Sequence, residues 1–452
     1  MMVKQKSVFF CQQCGHESPQ WVGKCPGCGQ WNSMVEERFS KKQEKSNSSG
    51  GRQNIPKKIS ELKRDEEERL ILCDDELNRV LGGGLVQGSL VLFGGEPGIG
   101  KSTLTLQIAV RQMGADILYV SGEESEEQIR MRADRLGSSG EGCKVLCETC
   151  VESIIESVSS SSYGIVVIDS IQTMYSNVIE GAPGSVSQVR QCASLLLRLA
   201  KENRVSVFII GHITKDGAIA GPKVLEHMVD VVLSFEGDRN HVYRLLRSPK
   251  NRFGSTGELG IYEMNSQGLR GVKNPSEFLV SDRVSGLSGS ALASSMEGIR
   301  PMIVEVQALV SSAVYGTPQR SSTGYDNRRL NMLLAVMEKK CGFRLAMKDV
   351  FVNIAGGLRL EDPALDLALT AAILSSNADI ALPPHVCFAG EVGLNGEIRP
   401  VPRIDQRISE AEKLGCNVMY VSDFAKMDLT AKSAIQIAKV SHLGDLAAAL
   451  FG

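Results

Sequence analysis

The stretch GSLVLFGGEPGIGKSTLTLQIAVRQM, residues 88–113, constrains this chain more than any other. An apolar run, Leu90 to Phe93, passes through a glycine-rich turn into an amphipathic helix. The turn carries the full G-x-x-x-x-G-K-S pattern from Gly95 to Ser102. In that strand-loop-helix setting the pattern predicts a phosphate cradle, because glycines let successive backbone N–H groups point at one anion. Gly95, Glu96, Pro97, Gly98, Ile99, Gly100, Lys101, Ser102 and Thr103 are the expected contacts for ATP. Lys101 supplies charge to the β and γ phosphates, and the Ser102 hydroxyl ligates Mg2+.

Three more apolar runs follow, ADILYVSGEES, YGIVVIDSIQTM and RVSVFIIGHITKDG, separated by helical stretches. The alternation predicts an α/β fold with a doubly wound parallel sheet. Ligands sit at the carboxyl ends of such strands. That places Asp169, after IVVI, where a carboxylate can support magnesium, and Glu123, after LYVSG, where one can polarise an attacking water. Glu124 competes for the second role.

Ahead of this core, CQQCGHESPQWVGKCPGCGQW holds two C-x-x-C turns, Cys11/Cys14 and Cys25/Cys28. Four thiolates make a closed tetrahedral site with no position for water, so the expected metal is structural Zn2+. Iron in a rubredoxin-like site is the alternative, and His16 between the pairs reads as a surface residue. Past Trp31 the segment EERFSKKQEKSNSSGGRQNIPKK is poor in apolar residues and reads as a flexible linker. The remaining cysteines are scattered, which favours a reducing compartment. No apolar run approaches the roughly 20 residues of a membrane span and the N-terminus lacks a signal pattern, so the chain reads as cytoplasmic with no membrane partner. With 23% charged residues and a formal net charge of -2, no global field attracts nucleic acid; any DNA contact must be local.

Far downstream, KNRFG, residues 250–254, places Lys250 and Arg252 on what reads as the turn after the strand HVYRLLRSP. A solvated basic turn is the bland reading. The order GEPGIGKST, SGEES, VVIDS, HITKDGAIAGPKVLEHMVD and KNRFG, preceded by the four-cysteine knuckle, resembles the bacterial RadA (Sms) family of DNA-repair ATPases over nearly the whole chain. The resemblance implies a core like those of RecA and hexameric DnaB-type helicases, with nucleotide bound between neighbouring subunits of a ring. Lys250 and Arg252 would then act on the neighbour's nucleotide, which makes hydrolysis depend on assembly. It also implies that the stretches YSNVIEGAPGSVSQ and HITKDGAIAGPKVLEH, expected to be mobile, face DNA in the ring centre, with Lys215 and Lys223 on phosphates. These loops have few aromatics, so base stacking is not their grip.

CKVLCETC has the C-x-x-x-C-x-x-C spacing of iron–sulfur radical enzymes, but reads better as a strand of the nucleotide core. From about Pro275 a mixed α/β pattern begins. Asp362 reads as a helix N-cap with Pro363 first in the helix, and Asn395-Gly396 as a two-residue hairpin turn. The segment resembles the proteolytic domain of Lon, yet Ala364 stands where the resemblance implies the serine nucleophile and Asp405 where it implies the lysine base. Proteolysis is therefore not expected, and Arg320, Arg328, Arg329 and Lys348 are candidate DNA contacts or a solvated face.

The expected organisation is a zinc finger at 1–35, a linker at 36–60, a RecA-like ATPase core at 61–272 and an inactive Lon-like domain at 273–452. The resemblance implies an ATP-driven motor on single-stranded and branched DNA, a hexameric ring partnered by a RecA-type recombinase, acting in branch migration. An ATP-gated loader or mediator for a recombinase is the alternative.

Overall fold

The computed structural model describes residues 7–11, 17–27, 29–38, 69–137, 140–212, 222–237, 243–274, 276, 279, 286–313, 317–357, 359–427 and 434–452. The chain divides into two compact units, Met1–Gly271 and Val272–Gly452.

The first unit is built on a nine-stranded sheet. From one edge the strands are Gly268–Gly271, Leu259–Asn265, Tyr243–Asn251, Val231–Glu236, Leu90–Gly95, Ser206–Ile210, Ile165–Asp169, Ile117–Ser121 and Cys143–Cys147. Those from Val231–Glu236 to Cys143–Cys147 run parallel. Leu90–Gly95, Ile117–Ser121, Ile165–Asp169 and Ser206–Ile210 are buried at every position. That burial explains their continuous apolar sequences, since helices cover both faces of a doubly wound sheet. One core gathers around Val91, Phe93, Tyr119 and Phe208, the other around Leu92, Val120, Ile168 and Ile209. CKVLC is an edge strand of this sheet, Cys143–Cys147.

Two local expectations need correction here. The strand before KNRFG runs through Lys250 to Asn251, because Val232 pairs with Lys250 and Val231 with Asn251. Only residues 252–254 turn. The glycine-rich segment after Ile165–Asp169 is fastened, although none of its apolar residues from Tyr175 to Val186 is buried: buried Gln188 donates to the carbonyls of Ser176, Ile179 and Gly181 and accepts from the Ser176 amide. Hydrogen bonds do there what packing cannot.

The second unit holds a seven-stranded mixed sheet, with the helix Leu365–Ala378 packed on the strands Ser290–Glu297 and Arg300–Ser312. The N-cap of that helix is Ala364, not Asp362. Asp362 instead accepts from the Ala364 and Met296 amides and pairs with fully buried Arg407 at 2.7 Å. The 391–399 hairpin turns on three residues, since Gly393 N–H reaches Glu397 O at 2.9 Å and Gly396 takes the left-handed position at φ 81°. A type I turn closed by a left-handed glycine fits this better than the two-residue turn expected from Asn-Gly.

Candidate functional site

The site forms at the carboxyl ends of the parallel strands. The helix Lys101–Arg111 begins at Gly100, φ 119°, with no side chain capping its N-terminus. Gly98 is also left-handed at φ 79°, so a side chain at either position would be strained. The first amides of the helix thus stay open to an anion. Lys101 is buried, and its ammonium donates to the carbonyls of Gly95 at 2.7 Å and Glu96 at 2.9 Å. Burial pushes its pKa down to about 8, against the pull of Asp169, Glu123 and Glu96.

Ser102 Oγ donates to Asp169 Oδ1 at 3.1 Å, although the two lie 67 residues apart. The other Asp169 oxygen accepts from the Tyr119 hydroxyl, out of the core of the next strand. Burial raises the Asp169 pKa, while the Tyr119 and Ser102 hydrogen bonds oppose the rise. A hydroxyl and a carboxylate so placed are a fitting donor pair for a hard divalent cation.

Glu123 and Glu124 have separate partners. Glu124 is ion-paired to Arg132, whereas Glu123 accepts from Ser170 Oγ at 2.7 Å and faces His212 Nε2 at 3.7 Å. This leaves Glu123 the carboxylate turned toward Lys101 and Asp169, both of which feel its charge. Gly122 permits the approach: a Cβ there would stand 2.1 Å from Thr173 Oγ1. Burial, then the nearby Lys101 charge, lowers the His212 pKa. Its Nδ1 and Gln172 Oε1 are buried with no hydrogen-bond partner.

Tyr119, Ser170 and His212 escaped the sequence reading. Tyr119 is one letter in an apolar run and gives no signal. His212 stands two residues past a strand of a parallel sheet, a position that sequence could have flagged.

Lys250 and Arg252 are not part of this cluster. They lie at the amino end of the sheet, because Lys250 is opposite Val232 and Val232 opposite Leu92, three residues before Gly95. That is about 10 Å along the strand and two strand spacings across. The Lys250 ammonium points further away, to Glu226 O at 2.6 Å, and Arg252 pairs with Asp230 at 3.2 Å. Lys215 lies outside the described residues, and Lys223 falls in the helix Pro222–Met228 with its side chain outside them.

In the ribbon at the front, Cys11 and Cys25 are buried together with Met34. The Gly27 amide donates to Cys25 Sγ at 3.3 Å and Gly29 N–H closes the turn on Cys25 O at 2.8 Å. An amide aimed at sulfur favours a thiolate, so this turn fits a metal ligand. Cys14 and Cys28 lie outside the described residues.

In the second unit, Ala364 is fully buried and Asp405 exposed on the helix Ile404–Lys413. Two residues beyond Asp405, buried Arg407 pairs with Asp362, whose carboxylate also accepts from the Ala364 amide. Arg329 is no free surface cation either: Nε and Nη2 grip buried Asp366 at 2.8 and 2.6 Å. Arg328 is exposed.

Comparison with known proteins agrees with this layout. Residues 9–36 match the family described as rubredoxin metal binding domain, 56–218 the AAA domain, and 304–423 subunit ChlI of Mg-chelatase. The DNA repair protein RadA of Halalkalibacterium halodurans is 50% identical over 98% of both chains, and that of Bacillus subtilis 48% over 98% of both. The chain belongs to the RadA family of DNA repair proteins. Among solved structures, a KaiC-like protein from Pyrococcus horikoshii aligns at TM-score 0.39 and 18% identity over 45% of this chain and 99% of its own. The RadB recombinase aligns at 0.36 and 22% over 44% and 98%. Membership of the RadA family, with its P-loop ATPase core and zinc ribbon, implies nucleotide with Mg2+ and zinc as cofactors. No helix among the described residues is long and apolar enough to cross a membrane.

Proposed function

We propose that this RadA-family chain is an ATP-driven motor that encircles single-stranded DNA as a hexameric ring in the cytoplasm, acting with a RecA-type recombinase to promote branch migration. The carrying observation is the separation of Lys250 and Arg252 from the phosphate loop of their own chain. Cations at the far end of the sheet cannot reach their own nucleotide, but a head-to-tail ring brings that end of one subunit to the carboxyl ends of the next.

Magnesium-bound ATP supplies the phosphoryl group. Lys101 would neutralise its charge from within the chain, and the Ser102 hydroxyl would ligate the metal with Asp169 supporting it from behind. Glu123, kept in place by Ser170, orients the water. Arg252 of the neighbour suits bidentate phosphate contact and Lys250 a point charge, so hydrolysis waits for assembly. Lys215 and Lys223 track the DNA backbone, and Cys11, Cys14, Cys25 and Cys28 hold zinc.

Mixing Lys101→Ala with Arg252→Ala subunits tests the arrangement. Neither variant hydrolyses ATP alone; shared sites restore part of the activity in the mixture, and a site wholly within one chain restores none. The second reading, an ATP-gated loader, rests on the buried, unpartnered His212 Nδ1 beside Glu123, which suits a nucleotide sensor. Unwinding of a tailed duplex separates the two, since a switch does not translocate.

A further inference from the structure

The chain contains only two tryptophans, and both stand on the ribbon, Trp21 56% and Trp31 69% exposed. Neither belongs to the small core of Cys11, Cys25 and Met34 with Phe9 and Val22. Side chains of this size left in water mark a contact surface.

Their arrangement is specific. A Cβ at Gly23 would stand 3.6 Å from Trp21 Cη2 and 3.8 Å from Trp31 Cζ3, so the two indoles flank one glycine. Lys24 and Trp31 pair across an antiparallel bridge, and the ammonium lies 5.7 Å from the centroid of the Trp31 ring. Backbone bonds fix the frame: Asn32 N–H to Gly23 O at 2.8 Å and Cys25 N–H to Gln30 O at 2.9 Å. The cysteine turn thus presents two ring systems and one cation together.

We infer that Trp21, Trp31 and Lys24 form a stacking platform for unpaired bases of single-stranded DNA. The surroundings choose this occupant over an apolar protein helix. Gln20, Gln30 and Asn32 beside the rings are exposed and polar, and no Asp or Glu lies between residues 18 and 33. A base stacks on an indole face while its phosphate meets Lys24, and stacking tolerates any base because each has a π face. Duplex DNA offers no unstacked base. The platform adds to the backbone contacts proposed for the ring centre and is independent of translocation.

The tryptophans themselves give the readout. The zinc-loaded full chain is titrated, without nucleotide, with a thymidine oligonucleotide and with an abasic backbone of equal length, following indole fluorescence. Quenching by the thymidine strand and none by the abasic strand is the expected result. Trp21→Ala and Trp31→Ala should each weaken binding of a labelled oligonucleotide by about tenfold, leaving zinc content and DNA-independent ATPase unchanged. Where an alanine variant loses zinc, Trp31→Phe replaces it and should bind the thymidine strand with less than the alanine-scale loss while the abasic strand stays insensitive. Equal quenching by both strands, unchanged affinity in the zinc-replete variants, or quenching only by a RecA-type recombinase would overturn the inference, the last marking a protein-docking surface.

Discussion

Arg252 reaches Asp230 across 3.2 Å, at the end of the sheet remote from the phosphate loop. Asp230 is buried and also accepts from Lys201 at 2.7 Å and the Leu90 amide at 3.1 Å. Arg252 by contrast is about half exposed. The pair therefore separates two roles. Arg252→Ala should cost under about 1 kcal/mol of stability yet lower ATPase turnover roughly a thousandfold, as loss of a trans-acting arginine would. Asp230→Ala leaves the buried Leu90 amide without its side-chain acceptor and half-exposed Lys201 without its partner, and should cost about 1–3 kcal/mol. Thermal unfolding beside steady-state ATPase reads both; equal activity in Arg252→Ala would make it a solvated cation.

The Tyr119 hydroxyl on Asp169 predicts a pH effect. That hydrogen bond lowers a carboxylate pKa which burial raises. Tyr119→Phe removes the opposing influence, so the ionised form needed for Mg2+ is lost at higher pH. The acid limb of the ATPase profile should move to higher pH, with a several-fold rise in the Mg2+ required.

Lys101, at about 8 in the free chain, predicts proton uptake. Phosphate favours the ammonium, so its pKa rises on binding and affinity falls as pH climbs through 8. At pH 8 about half a proton should enter per ATP bound, falling to about a tenth at pH 7. Calorimetry in buffers of different ionisation enthalpy measures it. No buffer dependence at pH 8 would mean that the lysine is already fully charged.

In the second unit, Asp366 has no exposed surface and accepts from Tyr325, twice from Arg329 and from the Val392 amide. Asp366→Ala leaves the Tyr325 hydroxyl and the Val392 amide without their acceptor and Arg329 with Glu391 alone, at 3.3 Å, and should cost about 3 kcal/mol in that unit. Denaturant unfolding followed there checks it; a loss below about 1 kcal/mol would show that water replaces the carboxylate.

Much of the candidate site is legible in the sequence because its chemistry is local. A phosphate is gripped by consecutive amides, so Gly95 to Ser102 declare themselves in eight letters. The Cys25 turn does the same within five residues, and buried parallel strands betray themselves as unbroken apolar runs. What sequence alone could not decide is everything set by register across the sheet. Tyr119 meets Asp169 over 50 residues, and Arg329, read as a surface cation, turns inward to Asp366 over 37. Lys250 sits at the opposite end of the sheet from Lys101 because two strand pairings, Lys250 with Val232 and Val232 with Leu92, fix it there. Hydrogen-bond ladders between distant segments impose those positions, and no window of neighbouring residues contains them.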